Sequence, residues 1–369
     1  MKICFDARMT SASGIGVYIK NLLPLTIAYF KNHNFILLGK QQELKYLHER
    51  FNFSNVSIIN INSKIYSIKE QFELIKKIPP STDLFWSPHY VFPFFYKGKI
   101  LVTVHDVFHL SDYSKGFFKK KYAKIMFNAL SARASRIVCV SSFTKNELNK
   151  YIKINKNKVI VIQNGFESSL IIDSEIKDRI HPKPYLLFVG NVKPHKNLSV
   201  LIESFSNLKS EIPHDLVIVG KRSGFITPDS FSLEHAKTLM GDRVVFTDYI
   251  NDADLLNYYK YADVLVFPSL YEGFGFPPLE AMRARCPVVV SNAASMPEVC
   301  GDAAVYFDPK ESVDLSKKIL KVLQNKEFRE SVILKGLEQI KKYSWERTAK
   351  QYFNVIKGLI NLNEDSNNT

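Results

Sequence analysis

The stretch from Asp263 to Pro309 constrains the fold of this chain more than any other. It opens with a short apolar run, Val264–Phe267, whose length and β-branched content are typical of a buried parallel strand. A glycine-containing loop, Glu272–Gly275, follows, and Pro278 then favours the first position of a helix. A second apolar run, Val288–Val290, completes a strand–helix–strand unit. The loop is therefore expected at the carboxyl end of a strand, where open α/β sheets bind their ligands.

The same alternation of short apolar runs with helical stretches recurs along the whole chain. A chain of 369 residues is long enough for two domains of ordinary size. Alternation of this kind predicts an α/β fold built on doubly wound parallel sheets. The strand-like runs before the central stretch are Ile3–Ala7, Phe35–Leu38, Val56–Ile61, Leu84–Trp86, Ile100–Val104, Ile137–Val140, Val159–Ile162, Tyr185–Val189, Leu216–Val219 and Val244–Phe246.

Glu272 and Glu280 place two carboxylates beside one loop, the second of them in the first turn of the predicted helix. Gly273 and Gly275 allow a ligand to approach the backbone closely, and the N–H groups at a helix start attract phosphate. A carboxylate beside such a site can accept two hydrogen bonds from neighbouring hydroxyls, as acidic residues do with a ribose. A nucleotide-diphosphate sugar would use all of these groups. Two surface glutamates that flank a turn are the structural alternative.

This layout resembles the signature of glycosyltransferase family 4, a Glu-x7-Glu motif in the GT-B fold. The resemblance extends to the segments Pro268–Ser269, Tyr271–Gly275, Pro278–Met282, Pro287–Val289 and Pro297–Val299. It implies two Rossmann-like doubly wound domains that face each other across a cleft. It also implies that Glu280 holds the ribose and that Glu272 holds the donor sugar. The loop amides that would meet the pyrophosphate are those of Gly273, Phe274 and Gly275.

The polar run after residue 166 and the resemblance together predict the domain limits. An acceptor-binding domain is expected over residues 1–170 and a nucleotide-sugar-binding domain over 184–345, with a linker at 171–183. In GT-B proteins a terminal helix crosses back to the first domain, and residues 346–362 are expected to form it here. Residues 363–369 are then a disordered tail.

A glycine loop after the first strand carries Gly14 and Gly16, and an apolar-periodic helix is expected to follow it from Val17. The full dinucleotide fingerprint is absent, because Lys20 and Asn21 stand where another glycine would be needed. In family 4 enzymes this loop faces the donor phosphates and the acceptor. The resemblance therefore implies donor contacts for both glycines, and a turn that merely ends the strand is the alternative.

The loop Gly190–Asn197 follows another strand and leads into a helix, an arrangement suited to phosphate. Family 4 enzymes have an arginine directly after this glycine and a lysine five residues later. Lys196 matches the lysine, so the resemblance implies that Lys196 binds the pyrophosphate and assists catalysis. Asn191 stands where the arginine is expected, and Lys193 is a candidate to supply the missing charge.

His105 follows the strand Ile100–Val104 directly and is followed by Asp106. A histidine at a strand end is often only held by hydrogen bonds. Because this His-Asp pair resembles the family's strand-end pair, the resemblance implies that His105 contacts the donor sugar from the first domain. His109 lies four residues on, but no clustered third ligand accompanies it, so we predict no metal site.

The net charge of +14 comes entirely from the first half of the chain. Residues 1–180 contain 27 Lys and Arg against 13 Asp and Glu, whereas the remainder is balanced. No zinc-finger spacing, RNP-like motif or arginine-rich arm indicates a nucleic-acid partner. The stretch Tyr113–Leu130 instead interleaves aromatic residues with Lys119, Lys120, Lys121 and Lys124, which favours contact with an anionic membrane. A solvated helix whose apolar stripe packs on its own sheet is the alternative.

The cysteines, Cys4, Cys139, Cys286 and Cys300, show no metal spacing and are expected to be reduced thiols. A strand-like run starts directly after Met1, which argues against a signal peptide. No apolar run approaches the length of a membrane span. These features predict a cytoplasmic protein associated peripherally with the inner face of the cell membrane.

We therefore interpret the sequence as a retaining, metal-independent hexosyltransferase that needs no cofactor. The donor is a nucleotide-diphosphate sugar, and a polyprenyl-pyrophosphate-linked glycan fits as the acceptor, as in O-antigen, lipopolysaccharide or capsule assembly. The segments Ser13–Gly16 and Pro194–Asn197 resemble bacterial mannosyltransferases that use GDP-mannose, so that donor is favoured. UDP-hexoses and dTDP-rhamnose stay open, as do the linkage and the oligomeric state.

Three other functions remain alternatives. A GT-B-fold nucleotide-sugar epimerase or hydrolase would release nucleotide without an acceptor. A Rossmann oxidoreductase would need the glycine fingerprint that is missing. A non-catalytic nucleotide-sugar-binding partner of another transferase would bind the donor through Glu280 but show no turnover that depends on Glu272.

Overall fold

A computed structural model describes residues 1–114, 116–167, 178–220, 241–248 and 250–360 of the chain. The chain divides into two compact units, Met1–Gly165 with the chain from Ser344 onward, and Phe166–Tyr343. Each unit is an α/β layer structure around one parallel sheet. The inner strands are apolar and almost fully buried, as expected where helices cover both faces of a sheet, whereas the strands at the sheet edges are only partly buried.

The first unit contains a seven-stranded parallel sheet among its described residues, in the order β3-β2-β1-β4-β5-β6-β7. Its strands are β1 Lys2–Asp6, β2 Asn34–Gly39, β3 Val56–Asn60, β4 Leu84–Ser87, β5 Lys99–Val104, β6 Arg136–Cys139 and β7 Val159–Val161. The helices that follow these strands are α1 Ser13–Tyr29, α2 Gln41–Phe51, α3 Ile68–Lys77, α4 Phe117–Arg133 and α5 Ser142–Tyr151, with short 3-10 turns at Phe108–Leu110 and Lys156–Lys158.

The second unit contains a six-stranded parallel sheet among its described residues, in the order β10-β9-β8-β11-β12-β13. Its strands are β8 Tyr185–Val189, β9 Asp215–Val219, β10 Val244–Asp248, β11 Val264–Phe267, β12 Val288–Ser291 and β13 Val305–Phe307. Its helices are α6 Leu198–Asn207, α7 Asp252–Tyr261, α8 Phe276–Arg283, α9 Met296–Cys300, α10 Ser312–Gln324 and α11 Lys326–Ile340, with 3-10 turns at Pro194–Lys196, Gly241–Arg243 and Gly301–Ala303.

The last described helix, α12 (Trp345–Ile360), packs on the first unit. The ring of Tyr352 stacks on Trp86 with centroids 5.2 Å apart, and its hydroxyl forms a 3.0 Å hydrogen bond with the Thr103 hydroxyl. The ring of Phe353 stacks on Tyr29 of α1 at 3.9 Å. Part of the core of the first unit is therefore built from residues at the other end of the chain.

The predicted boundaries differ from the structure at several places. The second unit begins at Phe166 rather than 184, and Ile180 within the predicted linker 171–183 already donates its N–H to the Asn257 side chain. The rest of that linker up to residue 177, like the tail 363–369, lies outside the described residues. Strand β13 was not predicted.

Two helices begin earlier than the sequence indicated. Helix α1 begins at Ser13 instead of Val17, so that Gly14 and Gly16 lie in its first turn. Helix α8 begins at Phe276 instead of Pro278, which moves Glu280 into the second turn. No helix among the described residues is long and apolar enough to cross a bilayer.

Candidate active site

The strand order of the second unit places a topological switch point between β8 and β11. Strand β8 pairs with β9 on one side and with β11 on the other, so the chain leaves these two strands in opposite directions. Loops that follow β8 and β11 therefore lie next to each other at the carboxyl edge of the sheet. These loops carry most of the predicted donor-binding residues.

The loop after β8 is held close to the sheet by glycines and by hydrogen bonds to neighbouring loops. A Cβ atom on Gly220, whose φ is +151°, would lie 2.2 Å from the Gly190 carbonyl oxygen, so only glycine lets these two turns meet. The His195 carbonyl accepts the N–H of Leu270 at 2.7 Å, which joins this loop to the one after β11. The backbone of Asn197 is in the left-handed region, and its side-chain amide donates to the Pro309 carbonyl oxygen at 2.8 Å.

The glycine loop after β11, Glu272–Gly275, is held in place by hydrogen bonds from the Ser295 side chain. The Ser295 hydroxyl is fully buried and lies 3.0 Å from the Glu272 carbonyl oxygen and 2.9 Å from that of Phe274. Gly275 caps α8 with a φ of +98°, and a Cβ there would lie 2.4 Å from the Met296 side chain. The backbone of Glu272–Gly275 is thus held in one conformation, and its amides are candidate anion donors.

The start of α8 is a poorer anion site than the sequence analysis expected. Its second and third residues, Pro277 and Pro278, have no N–H groups, so the usual cluster of helix-start donors is depleted. The candidate donors are therefore the amides of the preceding loop. Phe274 itself is buried and packs edge-on against the rings of Phe276 and Tyr343, so its side chain supports the loop.

Glu272 and Lys196 form a half-buried ion pair between the two loops. The Lys196 ammonium group also lies 5.2 Å from the centre of the Phe267 ring at the end of β11. Asn191 and Lys193, from the same loop as Lys196, are exposed. The structure thus brings together Gly190, Lys196, Glu272 and the loop amides, and it leaves the role of Lys193 a prediction.

Glu280 projects from α8 toward the preceding helix, where the Tyr259 hydroxyl donates a 2.7 Å hydrogen bond to its Oε2 atom. Burial raises the pKa of the Glu280 carboxyl, although the Tyr259 hydrogen bond and the charge of Arg283 oppose this increase. The same burial, together with Glu280, raises the pKa of Tyr259 well above its ordinary value. Tyr259 therefore stays a neutral donor that fixes the orientation of the carboxylate.

His105 lies in the first unit, directly after β5 as predicted. Its Nε2 atom donates to the Pro88 carbonyl oxygen at 2.9 Å, and the ring of Tyr18 packs edge-on against it at 4.9 Å. Burial lowers the pKa of His105 to about 4. The imidazole is therefore neutral near pH 7, and its Nδ1 atom is a hydrogen-bond acceptor.

Gly14 and Gly16 lie in the first turn of α1, at the carboxyl edge of the first sheet. Space around the Gly14 Cα is open, whereas a Cβ on Gly16 would lie 2.6 Å from the Thr10 carbonyl oxygen. Gly16 therefore allows the helix to pack on the loop before it. Gly14 alone leaves backbone accessible to a ligand.

The basic stretch forms most of α4. One face of this helix is buried and the other is exposed, so both the membrane interpretation and internal packing of the apolar stripe fit it. Ala123, Met126, Phe127, Ala129 and Leu130 are buried against the sheet. The four predicted lysines are exposed, and so are Phe117 (76%) and Phe118 (84%) at the start of the helix. The apolar stripe thus packs internally, while the helix start presents aromatic rings beside lysines.

A buried ionic cluster at the edge of the first sheet was not predicted. The Arg8 guanidinium donates to Asp6 at 2.6 and 2.8 Å and to Glu70 at 2.7 Å, and His89 contacts Asp6 at 3.2 Å. Arg8 and His89 outweigh the burial and lower the pKa of Asp6 below its usual range. The cluster joins the loops after β1 and β4 to α3.

Tyr259 and Ser295 were also missed, although both hold predicted residues. Each makes its contact with a residue more than 20 positions away in the chain. For Tyr259 the only sequence signal is a tyrosine on α7, the helix before β11. For Ser295 the chain offers no signal beyond its small polar side chain.

Solved structures share the fold of the whole chain. The crystal structure of Anabaena Alr3699/HepE in complex with UDP and glucose has a TM-score of 0.75, is 16% identical, and matches 97% of this chain and 100% of its own. The two Rossmann-like parallel-sheet units of this chain are those of the GT-B fold.

Family models identify the class more narrowly. The model described as Glycosyl transferases group 1 matches residues 172–339, and the model described as Glycosyltransferase Family 4 matches residues 66–170. The chain belongs to glycosyltransferase family 4.

Two relatives from Escherichia coli carry named activities. O-antigen chain mannosyltransferase B is 31% identical over 270 residues, which cover 70% of this chain and 70% of the relative. Serotype-specific mannosyltransferase WbdA is 29% identical over 283 residues, 73% of this chain. The chain matches only 34% of the length of WbdA.

Proposed function

We propose that this glycosyltransferase moves a hexose from a nucleotide-diphosphate sugar to a growing surface polysaccharide, with retention of configuration. The observation that carries the proposal is the meeting of Lys196, Glu272 and the fixed glycine loop at one sheet edge, with Glu280 on the helix that follows. This set supplies a cation and amides for a pyrophosphate and two carboxylates for hydroxyl groups. The UDP and glucose of the Anabaena structure agree with such a ligand in this fold.

In this proposal Glu280 accepts the ribose hydroxyls and Glu272 accepts hydroxyls of the transferred sugar. Lys196 and the amides of Gly273–Gly275 bind the pyrophosphate. The present Lys196–Glu272 ion pair keeps both groups at the site before the donor binds. The donor then offers each of them a new partner, a phosphate for Lys196 and a hydroxyl for Glu272.

Cleavage of the bond between the anomeric carbon and the phosphate oxygen leaves added negative charge on the nucleoside diphosphate. Lys196 and the loop amides stabilise that charge electrostatically. Because these groups can supply the required charge, we propose that transfer is metal-independent. The neutral His105 contributes an Nδ1 acceptor for a hydroxyl of the transferred sugar.

We favour GDP-mannose as the donor, because both Escherichia coli relatives described above are named mannosyltransferases. The name of the first of them, O-antigen chain mannosyltransferase B, also favours a polyprenyl-pyrophosphate-linked glycan as the acceptor. Contact with the inner face of the membrane is supported by the lysines of α4 and by exposed Phe117 and Phe118. Exposed Ile68 (76%) and Phe72 (67%) on α3 extend the apolar surface of this unit.

A thermal-shift panel of nucleotide sugars tests the donor, and nucleotide release with and without a lipid-linked acceptor tests the reaction. We expect GDP-mannose to give the largest rise in melting temperature and GDP release to require the acceptor. Glu272→Gln should abolish that release, whereas Glu327→Gln, an exposed change at the start of α11, should not alter it. Release that is independent of acceptor would indicate an epimerase or hydrolase, and binding without turnover would indicate a non-catalytic partner.

A further inference from the structure

Three aromatic rings form a stacked column in the first unit, from the buried face of α4 to the surface. The ring of Phe127, which is fully buried, stacks on Tyr90 at 4.5 Å with planes 21° apart. Tyr90 in turn stacks on Tyr66 at 5.6 Å and 30°. Tyr66 is 41% exposed, so the column ends in an accessible ring.

The backbone of Tyr66 is strained. Its φ of +68° lies in the left-handed region, which costs a residue with a Cβ free energy and is found mostly at glycine and asparagine. The turn is nevertheless fixed, because the next residue, Ser67, caps α3 and donates to the Lys64 carbonyl at 2.6 Å. Strain that is held in place by neighbouring contacts is typical of ligand-binding positions.

Polar groups border the outer ring of the column. His109 lies edge-on to Tyr66 at 6.0 Å, and its Nδ1 atom is 3.0 Å from the Tyr90 hydroxyl. Burial and the charge of nearby Asp106 raise the pKa of Tyr66 to about 12, so its hydroxyl stays protonated. Asp106 and His109 both follow β5 at the carboxyl edge of the sheet.

We propose that Tyr66 is the platform of a sugar-binding subsite for the acceptor glycan, on which one hexose ring stacks. A hexose has an apolar C–H face and an edge of hydroxyls. The accessible face of Tyr66 can pack against the C–H face, and Asp106 and His109 can form hydrogen bonds with the hydroxyl edge. The proposal rests on the proposed function, because it assigns the acceptor of that reaction to this face of the first unit.

The test is a calorimetric titration of the full chain with mannotriose, with Tyr66→Ala, Tyr66→Phe and Tyr66→Asn compared with the unchanged protein. We expect the dissociation constant to rise about three- to tenfold when the ring is removed and to change less than twofold in Tyr66→Phe. Tyr66→Asn also removes the ring but tolerates a positive φ, so it should keep or raise the melting temperature while it weakens binding. Phe95→Ala, which removes an exposed ring of the same unit outside the column, is the matched control and should bind like the unchanged protein.

Equal binding by the unchanged protein and Tyr66→Ala overturns the platform, and so does an absence of mannotriose binding by the unchanged protein. A loss in Tyr66→Phe as large as in Tyr66→Ala also overturns it, because the hydroxyl rather than the ring would then be responsible. The rise in melting temperature with GDP-mannose is measured on the same variants and should not change. If no nucleotide sugar stabilises the unchanged protein, the proposed function fails, and the mannotriose titration still decides the platform separately.

Discussion

Replacement of Glu280 by alanine should weaken the binding of the nucleotide sugar. A carboxylate has about four lone-pair positions, and the Tyr259 hydroxyl uses one of them at 2.7 Å. Two ribose hydroxyls can therefore bind without displacing Tyr259. Hydrogen bonds to a charged group contribute about 1.5–3 kcal/mol net, so the dissociation constant should rise roughly 10- to 150-fold.

The pH dependence gives this prediction a second readout. Binding needs the carboxylate form, so affinity should fall as the pH decreases through the pKa of Glu280. Because burial raises that pKa, the fall should begin at a higher pH than for an ordinary exposed glutamate. Tyr259→Phe removes an interaction that lowers the pKa, so its fall should begin at a still higher pH.

The assay is calorimetric titration with GDP-mannose between about pH 5 and pH 8. The lower limit lies near the range in which glutamate carboxyls titrate, and at the upper limit the Glu280 carboxylate is ionised. The diester phosphates of the donor remain charged throughout. Glu280→Ala should show weak binding that no longer changes in this window. Tyr258→Phe, which removes a hydroxyl from the residue beside Tyr259, is the matched control. A Glu280→Ala protein that binds within twofold of the unchanged one would refute the ribose role.

Further changes test the parts around this residue. Ser295→Ala removes the donor under the glycine loop and should cost about 1–3 kcal/mol of stability and weaken donor binding, measured by thermal shift; exposed Ser331→Ala should do neither. Arg8→Met removes the guanidinium partner shared by the buried carboxylates of Asp6 and Glu70, and it should lower the free energy of unfolding by about 3–5 kcal/mol in urea. Exposed Arg133→Met should change it little, and a loss under about 1 kcal/mol for Arg8→Met would contradict the ion-pair argument. Joint replacement of Lys119, Lys120 and Lys121 by glutamine should reduce binding to anionic vesicles by about 1 kcal/mol per lysine and spare soluble-acceptor turnover. The same change at exposed Lys310, Lys317 and Lys341 is its control, and equal losses in both would refute a specific α4 surface.

The sheets were predictable because their signals are local. Each predicted strand overlaps an observed one, and the ends differ by at most two residues, where hydrogen bonding rather than apolar content decides. Strand β13 was missed because Val305–Phe307 is too short to stand out from the segment around it. The starts of α1 and α8 were misplaced because Gly14, Gly16 and Pro277 were assigned to the preceding loops, although glycine and proline both occur in first helical turns.

The sequence predicted which segments carry the site residues, but it did not predict which side chains contact each other there. The spacing of glycines and carboxylates indicated the loop that carries Glu272 and the helix that carries Glu280. The partner of each carboxylate, Lys196 for one and Tyr259 for the other, depends on how separate helices and loops pack. The ionic cluster around Arg8 joins residues up to 83 positions apart, and no local pattern predicts such a pairing.

The packing of α12 on the first unit has a consequence for how the chain folds during synthesis. Residues 166–343 form a continuous segment and can complete their core as soon as they leave the ribosome. The core around Trp86 and Tyr29 lacks Tyr352 and Phe353 until the last helix has been made. The part of the protein that is translated first is therefore the last to reach its native state, and truncation before Trp345 should expose its aromatic core to aggregation.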